Sequence, residues 1–335
     1  MSATPDEITP EPAPFPSRRR NRVTFVLRWA IAIAVVVALL DAGRKAVAEA
    51  EQNVARVDLR LSWIAVAAGF YLVGWLFQSG PWMLALPSFG GGRSGPRTLA
   101  AYLVSHLGKY VPFKFMVFVL RKGLLPKTPT FPIIAATFFE TFATMAAGSL
   151  LAFVTLLTFF QGSPWPIILA TGGLAAAFCL AISPGVYRTA VRVLLVQRTG
   201  VEDLDRPEVD TRRFRVPAPS PLVLSGALSL SILSWAFISL SYGCVVRGCG
   251  SDVEAEKLMP LALLATPLAA VGGFISMIPG HFGVREWVLT SLAKPILGNA
   301  LIPLAAAVVF RLVTLLVEAV VGGGLYLALR GSRRE

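Results

Sequence analysis

The chain has 335 residues, 55% of them hydrophobic, with a mean hydropathy of +0.67 and a formal charge of +12. So apolar a chain of this length excludes an ordinary soluble domain, and several runs reach the roughly 20 residues that cross a hydrocarbon core. Its Arg and Lys residues sit largely in short segments flanking those runs, the positive-inside pattern of a polytopic membrane protein, which excludes nucleic acid as the partner that the charge serves.

Residues 1–22 are Pro-rich, acidic and then basic, without hydrophobic periodicity, and read as a disordered cytoplasmic tail. An apolar run at 23–40 follows Arg18, Arg19, Arg20 and Arg22. Ala48-Glu49-Ala50 resembles a leader cleavage site, but the long lead-in and the near-spanning run predict a retained first helix with its N-terminus in the cytoplasm. The mixed charges of 41–62 suit the outer side. A second helix is expected over 63–86, leaving at Pro87 into the flexible basic turn Gly90 to Arg97.

The next element, about 98–125, is unusual. A short helix through His106 and Lys109 meets Pro112, and the apolar run that follows Lys114 is too short to span before Arg121 and Lys122. Basic residues at both ends predict a re-entrant hairpin dipping from the cytoplasm. A long helix over 132–160 then carries Glu140, and 165–182 returns to a cytoplasmic loop at about 184–220. The acidic cluster Glu202 to Asp210 in that loop lacks the spacing and turn glycine of a metal loop and reads as a solvated linker.

A helix over 222–246 carries Ser225, Ser229, Ser231, Ser234, Ser239 and Ser241 as groups that bond across a bundle. Cys179 reads as helix packing, while Cys244 and Cys249 either pair on an oxidising face or stay thiols. A second re-entrant element is expected at about 258–296. A helix cannot continue through Pro279 and Gly280, and a new one starts near Gly283 with Arg285 and Glu286 on its first turn. The rival topology lets 258–278 cross fully, which would strand Arg330, Arg333 and Arg334 outside. A last spanning helix over 302–329 holds Arg311 and Glu318, seven residues apart and so on one face.

The expected fold is therefore an all-α polytopic membrane protein, with one transmembrane domain over 23–330. It has six spanning helices, two opposed re-entrant helical hairpins and both termini cytoplasmic. Each hairpin is followed by a long helix with a buried Glu, so 98–160 and 258–329 read as an inverted repeat, an arrangement that brings broken helices together at the midplane.

The string Ile278-Pro279-Gly280-x-x-Gly283-x-Arg285-Glu286, followed by Arg311 and Glu318 on the next helix, resembles the flippase-like transmembrane domain of bacterial lysylphosphatidylglycerol synthases over about residues 20–330. Stand-alone members of that family often carry Pro-Gly-Lys in the first copy, where this chain has Pro112-Phe113-Lys114. DedA-type transporters also pair opposed hairpins, with motifs in an order that fits less well. The resemblance implies a protein of the bacterial cytoplasmic membrane that moves an anionic or aminoacylated lipid, or a polyprenyl-phosphate-linked sugar. A glycosyltransferase or lipid aminoacyltransferase is its implied partner, and a homo-oligomer is compatible with it. The synthases keep their transferase activity on a separate soluble domain; none is recognisable after Leu329, so only the translocating half is expected.

Charges inside a membrane are expensive and mark binding or transport paths. The candidate substrate-binding residues are Lys109, Lys114, Arg121, Glu140, His281, Arg285, Glu286, Arg311 and Glu318, with Pro112, Pro279, Gly280 and Gly283 as hinges. The cations would receive a phosphate, and the glutamates would orient them or take up protons. The structural alternative is internal charge neutralisation, or snorkelling for Lys109, Lys114, Arg121 and Lys122. His106 reads as a packed histidine. No catalytic residue, metal or cofactor is expected, because no nucleophile has its base within sequence reach. A non-catalytic membrane partner of a lipid-modifying enzyme and an intramembrane enzyme are the other two readings.

Overall fold

A computed structural model describes residues 57–110, 116–189, 219–276 and 283–331. The expected first helix at 23–40, most of the 184–220 loop, and Pro112, Lys114, Pro279, Gly280 and His281 lie outside the described residues. The helices are α1 (Leu61–Ser88), α2 (Pro96–His106), α3 (Met116–Leu124), α4 (Thr130–Phe159), α5 (Trp165–Ile182), α6 (Pro221–Gly248), α7 (Ala255–Ile275), α8 (Val284–Leu297) and α9 (Leu301–Gly331), and α2 runs on into a 3-10 turn at Leu107–Tyr110. The described residues contain no strand.

Six of these helices, α1, α4, α5, α6, α7 and α9, are long and apolar enough to cross a membrane. The protein is a multi-pass membrane protein of helices, as its composition requires. Five of these six are spans that the sequence predicts; the sixth, α7, is the segment read there as a hairpin arm, and the predicted 23–40 span lies outside the described residues. An apolar hairpin arm of 21 residues is about 31 Å long, so length and composition cannot separate it from a spanning helix.

The largest helix pair is α1 with α6, packed antiparallel. Arg60 N–H donates to the Gly248 carbonyl at 2.8 Å at one end, and Ser241 Oγ to the Ala67 carbonyl at 2.7 Å further in. Ser239 bonds Thr266 of α7 at 2.6 Å, so two of the six expected serines do tie helices together. Ser225 bonds its own helix, and Ser231 and Ser234 are buried without a partner. The central helix α4 packs on α1, α3, α5, α6 and α7, and Trp235 of α6 donates to the Thr144 carbonyl at 2.9 Å. Cys179, Cys244 and Cys249 are free thiols.

Two helical hairpins complete the bundle. In the first, α3 turns back along α2: Gly108 lies against Val117, and Ser105 faces Arg121. Pro96 begins α2 with the φ that a first helical position needs, and Thr98 accepts the Gly95 N–H at 3.3 Å. Lys122 ends α3 by donating to the carbonyls of Pro126 at 3.0 Å and Thr128 at 2.7 Å, a loop-capping role. In the second hairpin, α8 returns along α7, with Gly272 facing Val284 and Val288. At 14 residues α8 is about 21 Å long, short of a crossing.

The direction of α2 and α8 follows from their partners on α9. Leu103 and Leu107 lie against Gly322 while Lys109 reaches Glu318, so α2 and its 3-10 turn run toward the N-terminal half of α9. Glu286 and Arg285 at the start of α8 meet Arg311 and Phe310, while the far end of α8 leads through Asn299 into α9. Lys109 and the start of α8 therefore both lie against the middle of α9.

At Gly108 an added methyl would sit 2.9–3.2 Å from backbone atoms of Met116 and Val117, which cannot move aside as a flexible side chain would. Gly108→Ala is expected to destabilise the protein by about 1–3 kcal/mol, read as a lower midpoint of thermal unfolding in detergent. An unchanged midpoint would mean that the hairpin is looser than this geometry.

Candidate functional site

Three clusters of buried charge lie where the hairpins meet α9 and α4. The first is closed. Arg121 is 1% exposed, and its Nε donates to Ser105 Oγ at 3.1 Å and its Nη1 to Thr137 Oγ1 at 2.7 Å and Glu140 Oε2 at 2.9 Å. The guanidinium lies over the rings of Trp82 at 4.4 Å and Tyr102 at 4.8 Å, and the Tyr102 hydroxyl donates to Glu140 Oε1 at 2.9 Å. Both carboxylate oxygens and both faces of the cation are occupied, and the group pins α3 to α2, α4 and α1.

The second cluster is centred on Glu318, near the middle of α9 and 0% exposed. Its Oε1 accepts from the Tyr71 hydroxyl and from Lys109 Nζ, the latter at 2.6 Å, and His106 Nε2 stands 3.7 Å away. Its Oε2 is buried without a hydrogen-bond partner among the described residues. Lys109 retains 33% of its side-chain exposure.

The third cluster forms at the start of α8. Gly283 has φ 86°, a left-handed angle that a side chain would strain, and this places its N–H on Glu286 Oε2 at 2.7 Å. The other oxygen of Glu286 accepts from Arg311 Nη1. Arg285 has no carboxylate partner among the described residues: its guanidinium lies 4.8 Å from the centre of the Phe310 ring, and its Nε is buried and unbonded. The second and third clusters meet at Phe310, whose ring lies against Tyr71, 6.4 Å between centres, and carries Arg285. Tyr102 joins the first cluster to the second, since its ring lies under Arg121 and packs on His106.

Of the residues singled out in the sequence, Lys109, Arg121, Glu140, Arg285, Glu286, Arg311 and Glu318 converge in this way, with Gly283 as the helix start. Lys114 and His281, and the hinges Pro112, Pro279 and Gly280, lie outside the described residues. The sequence alternative of internal charge neutralisation, in which Arg285 or Arg311 pairs with a glutamate, matches the geometry at Arg311, which bonds Glu286; Arg285 lies over an aromatic ring instead. Lys109 and Arg121 are ion-paired rather than snorkelling, and His106 is packed between Trp75 and Tyr102, at 5.5 and 5.7 Å between ring centres.

Sequence reasoning missed Tyr71, Tyr102, Ser105, Thr137 and Trp82. Part of the signal was there: Tyr102, Ser105, His106 and Lys109 recur at helical spacing and form one polar stripe along α2 and its 3-10 turn. Nothing in the apolar surroundings of Tyr71 marks it as a partner of a glutamate 247 positions away.

Arg121→Met should destabilise the protein by about 3–5 kcal/mol, because it leaves the Glu140 carboxylate buried and unpaired. Arg285→Met, which strands no carboxylate and forfeits a cation–π contact of about 0.5–2 kcal/mol, should cost less. The combined Arg121→Met, Glu140→Leu replacement should recover much of the first loss. Unfolding midpoints of the purified variants check the order, and equal losses for the two arginines would contradict it.

The profile of the family described as the lysylphosphatidylglycerol synthase TM region matches residues 25–322. Comparison with curated proteins and with solved structures gave no match. The matched span takes in every residue of the three clusters, and the chain belongs to the lysylphosphatidylglycerol synthase transmembrane-region family.

Proposed function

We propose that the protein translocates an amphipathic lipid between leaflets, its polar head group passing the charged clusters while its tails remain in hydrocarbon. The candidate cargoes are an anionic or aminoacylated phospholipid and a polyprenyl-phosphate-linked sugar. The observation that carries this reading is the convergence of charge on the middle of α9, with Lys109 from one hairpin on Glu318, and Arg311 and Phe310 holding Glu286 and Arg285 of the other. Apolar residues would have packed those positions without the desolvation penalty of a charge. The surface beside them supports the tails' path: Trp287, Leu312 and Leu316 are all exposed next to the charged residues.

On this reading the hairpins act as an inverted pair that re-enters from the two faces and offers the head group cations from both sides. The lipid undergoes no covalent change, so the protein is a carrier and not an enzyme. Its place is the bacterial cytoplasmic membrane with both termini inside, as the basic flanks of the apolar runs support. A glycosyltransferase or lipid aminoacyltransferase would supply the cargo.

Reconstitution into vesicles with fluorescent phospholipid in the inner leaflet tests this directly. The intact protein should accelerate exposure of the label. Lys109→Ala and Arg285→Ala should each slow it by about 10–100-fold, the loss of one charge-assisted hydrogen bond to the head group. Rates equal to those of protein-free vesicles would favour instead a non-catalytic partner of a lipid-modifying enzyme. A chemically altered lipid recovered from the same vesicles would favour an intramembrane enzyme.

A further inference from the structure

The three clusters do not balance. Lys109, Arg121, Arg285 and Arg311 face Glu140, Glu286 and Glu318, so four cations oppose three carboxylates and one positive charge is left over among the described residues. His106, outside this count, pushes the same way, since a histidine can only add positive charge.

The hydrogen-bond inventory has the same bias. Both oxygens of Glu140 are taken, by Tyr102 and Arg121. Both oxygens of Glu286 are taken, by Arg311 and the Gly283 N–H. Glu318 Oε1 holds Tyr71 and Lys109, and its Oε2 is sealed from the surface on a carboxylate already bonded to an ammonium. Donors, by contrast, are in surplus. A lysine ammonium has three N–H groups, and Lys109 spends one of them on Glu318. Arg285 presents a guanidinium with a buried Nε that meets no acceptor among the described residues.

Resting on the translocation reading above, we infer that this site selects a lipid head group whose phosphate charge is uncompensated and discriminates against one bearing an amine. A phosphodiester brings one negative charge and several acceptor oxygens, which meets the surplus of both kinds. An aminoacylated head group brings ammonium donors to a site whose carboxylates are already bonded, and adds to the excess positive charge. The selecting residue is Arg285, the cation without a carboxylate partner among the described residues.

The test uses the whole chain in vesicles with three lipids of matched labelled tails: phosphatidylglycerol, zwitterionic phosphatidylethanolamine and lysylphosphatidylglycerol. Phosphatidylglycerol should cross at least about tenfold faster than lysylphosphatidylglycerol, the discrimination expected when one charged hydrogen bond is made or lost. Arg285→Glu, which turns the excess charge from positive to negative, should narrow or reverse that order. Arg285→Gln should slow phosphatidylglycerol more than phosphatidylethanolamine, and it serves if the charge reversal does not fold. Equal rates for the first and third lipids, or a faster third, would overturn the selectivity and leave translocation standing. An order unchanged in a folded Arg285→Glu or Arg285→Gln protein would overturn its assignment to Arg285. No protein-dependent crossing of any of the three lipids would overturn the translocation reading itself, and this inference with it.

Discussion

Ionised groups cannot be taken into an apolar bundle alone, because desolvation costs several kcal/mol per ion unless a partner and further hydrogen bonds offset it. This chain has that problem at several helix positions, and its solution organises the fold. Glu140 and Glu318 sit on long central helices, where they are fixed; the cations that answer them, Arg121 and Lys109, sit on a short helix and a 3-10 turn that must be brought in from elsewhere. The first hairpin is thus held against α4 through one carboxylate and against α9 through another. Glu286 repeats the pattern in reverse, a carboxylate on the short helix α8 reaching Arg311 on the long one.

The clusters differ in how completely they are closed. Around Arg121 two rings, two hydroxyls and a carboxylate leave the cation neither space nor spare acceptors, and its role is to position the elements around it. Around Glu318 and Arg285 the bonding is unfinished: one carboxylate oxygen and one guanidinium nitrogen are buried without partners among the described residues. An incomplete buried network is a poor way to stabilise a protein, since each unmade bond carries its desolvation penalty. That asymmetry separates a closed cluster from two in which bonding groups are left over among the described residues.

Helix α9 is the common strut. Lys109 of the 3-10 turn and Glu286 at the start of α8 both reach its middle, which places Arg311 with the second hairpin and Glu318 with the first. The two residues lie two turns apart on one face, so a rigid helix sets the distance between the hairpins' charges.

The sequence by itself determined the class and most of the elements: hydropathy and length define the long helices within a few residues, since burying backbone groups in lipid permits little else. It also marked Arg285, Glu286, Arg311 and Glu318, because charge between apolar runs is conspicuous. It did not decide whether α7 is a hairpin arm or a crossing, since both need the same apolar length. Which charges are partners was settled by the tertiary structure alone: Lys109 and Glu318 are 209 positions apart, and Tyr71 and Glu318 are 247. Local periodicity shows which face of a helix is polar, but an ion pair depends on the packing of helices distant in the chain, and that packing exists only once the bundle has formed.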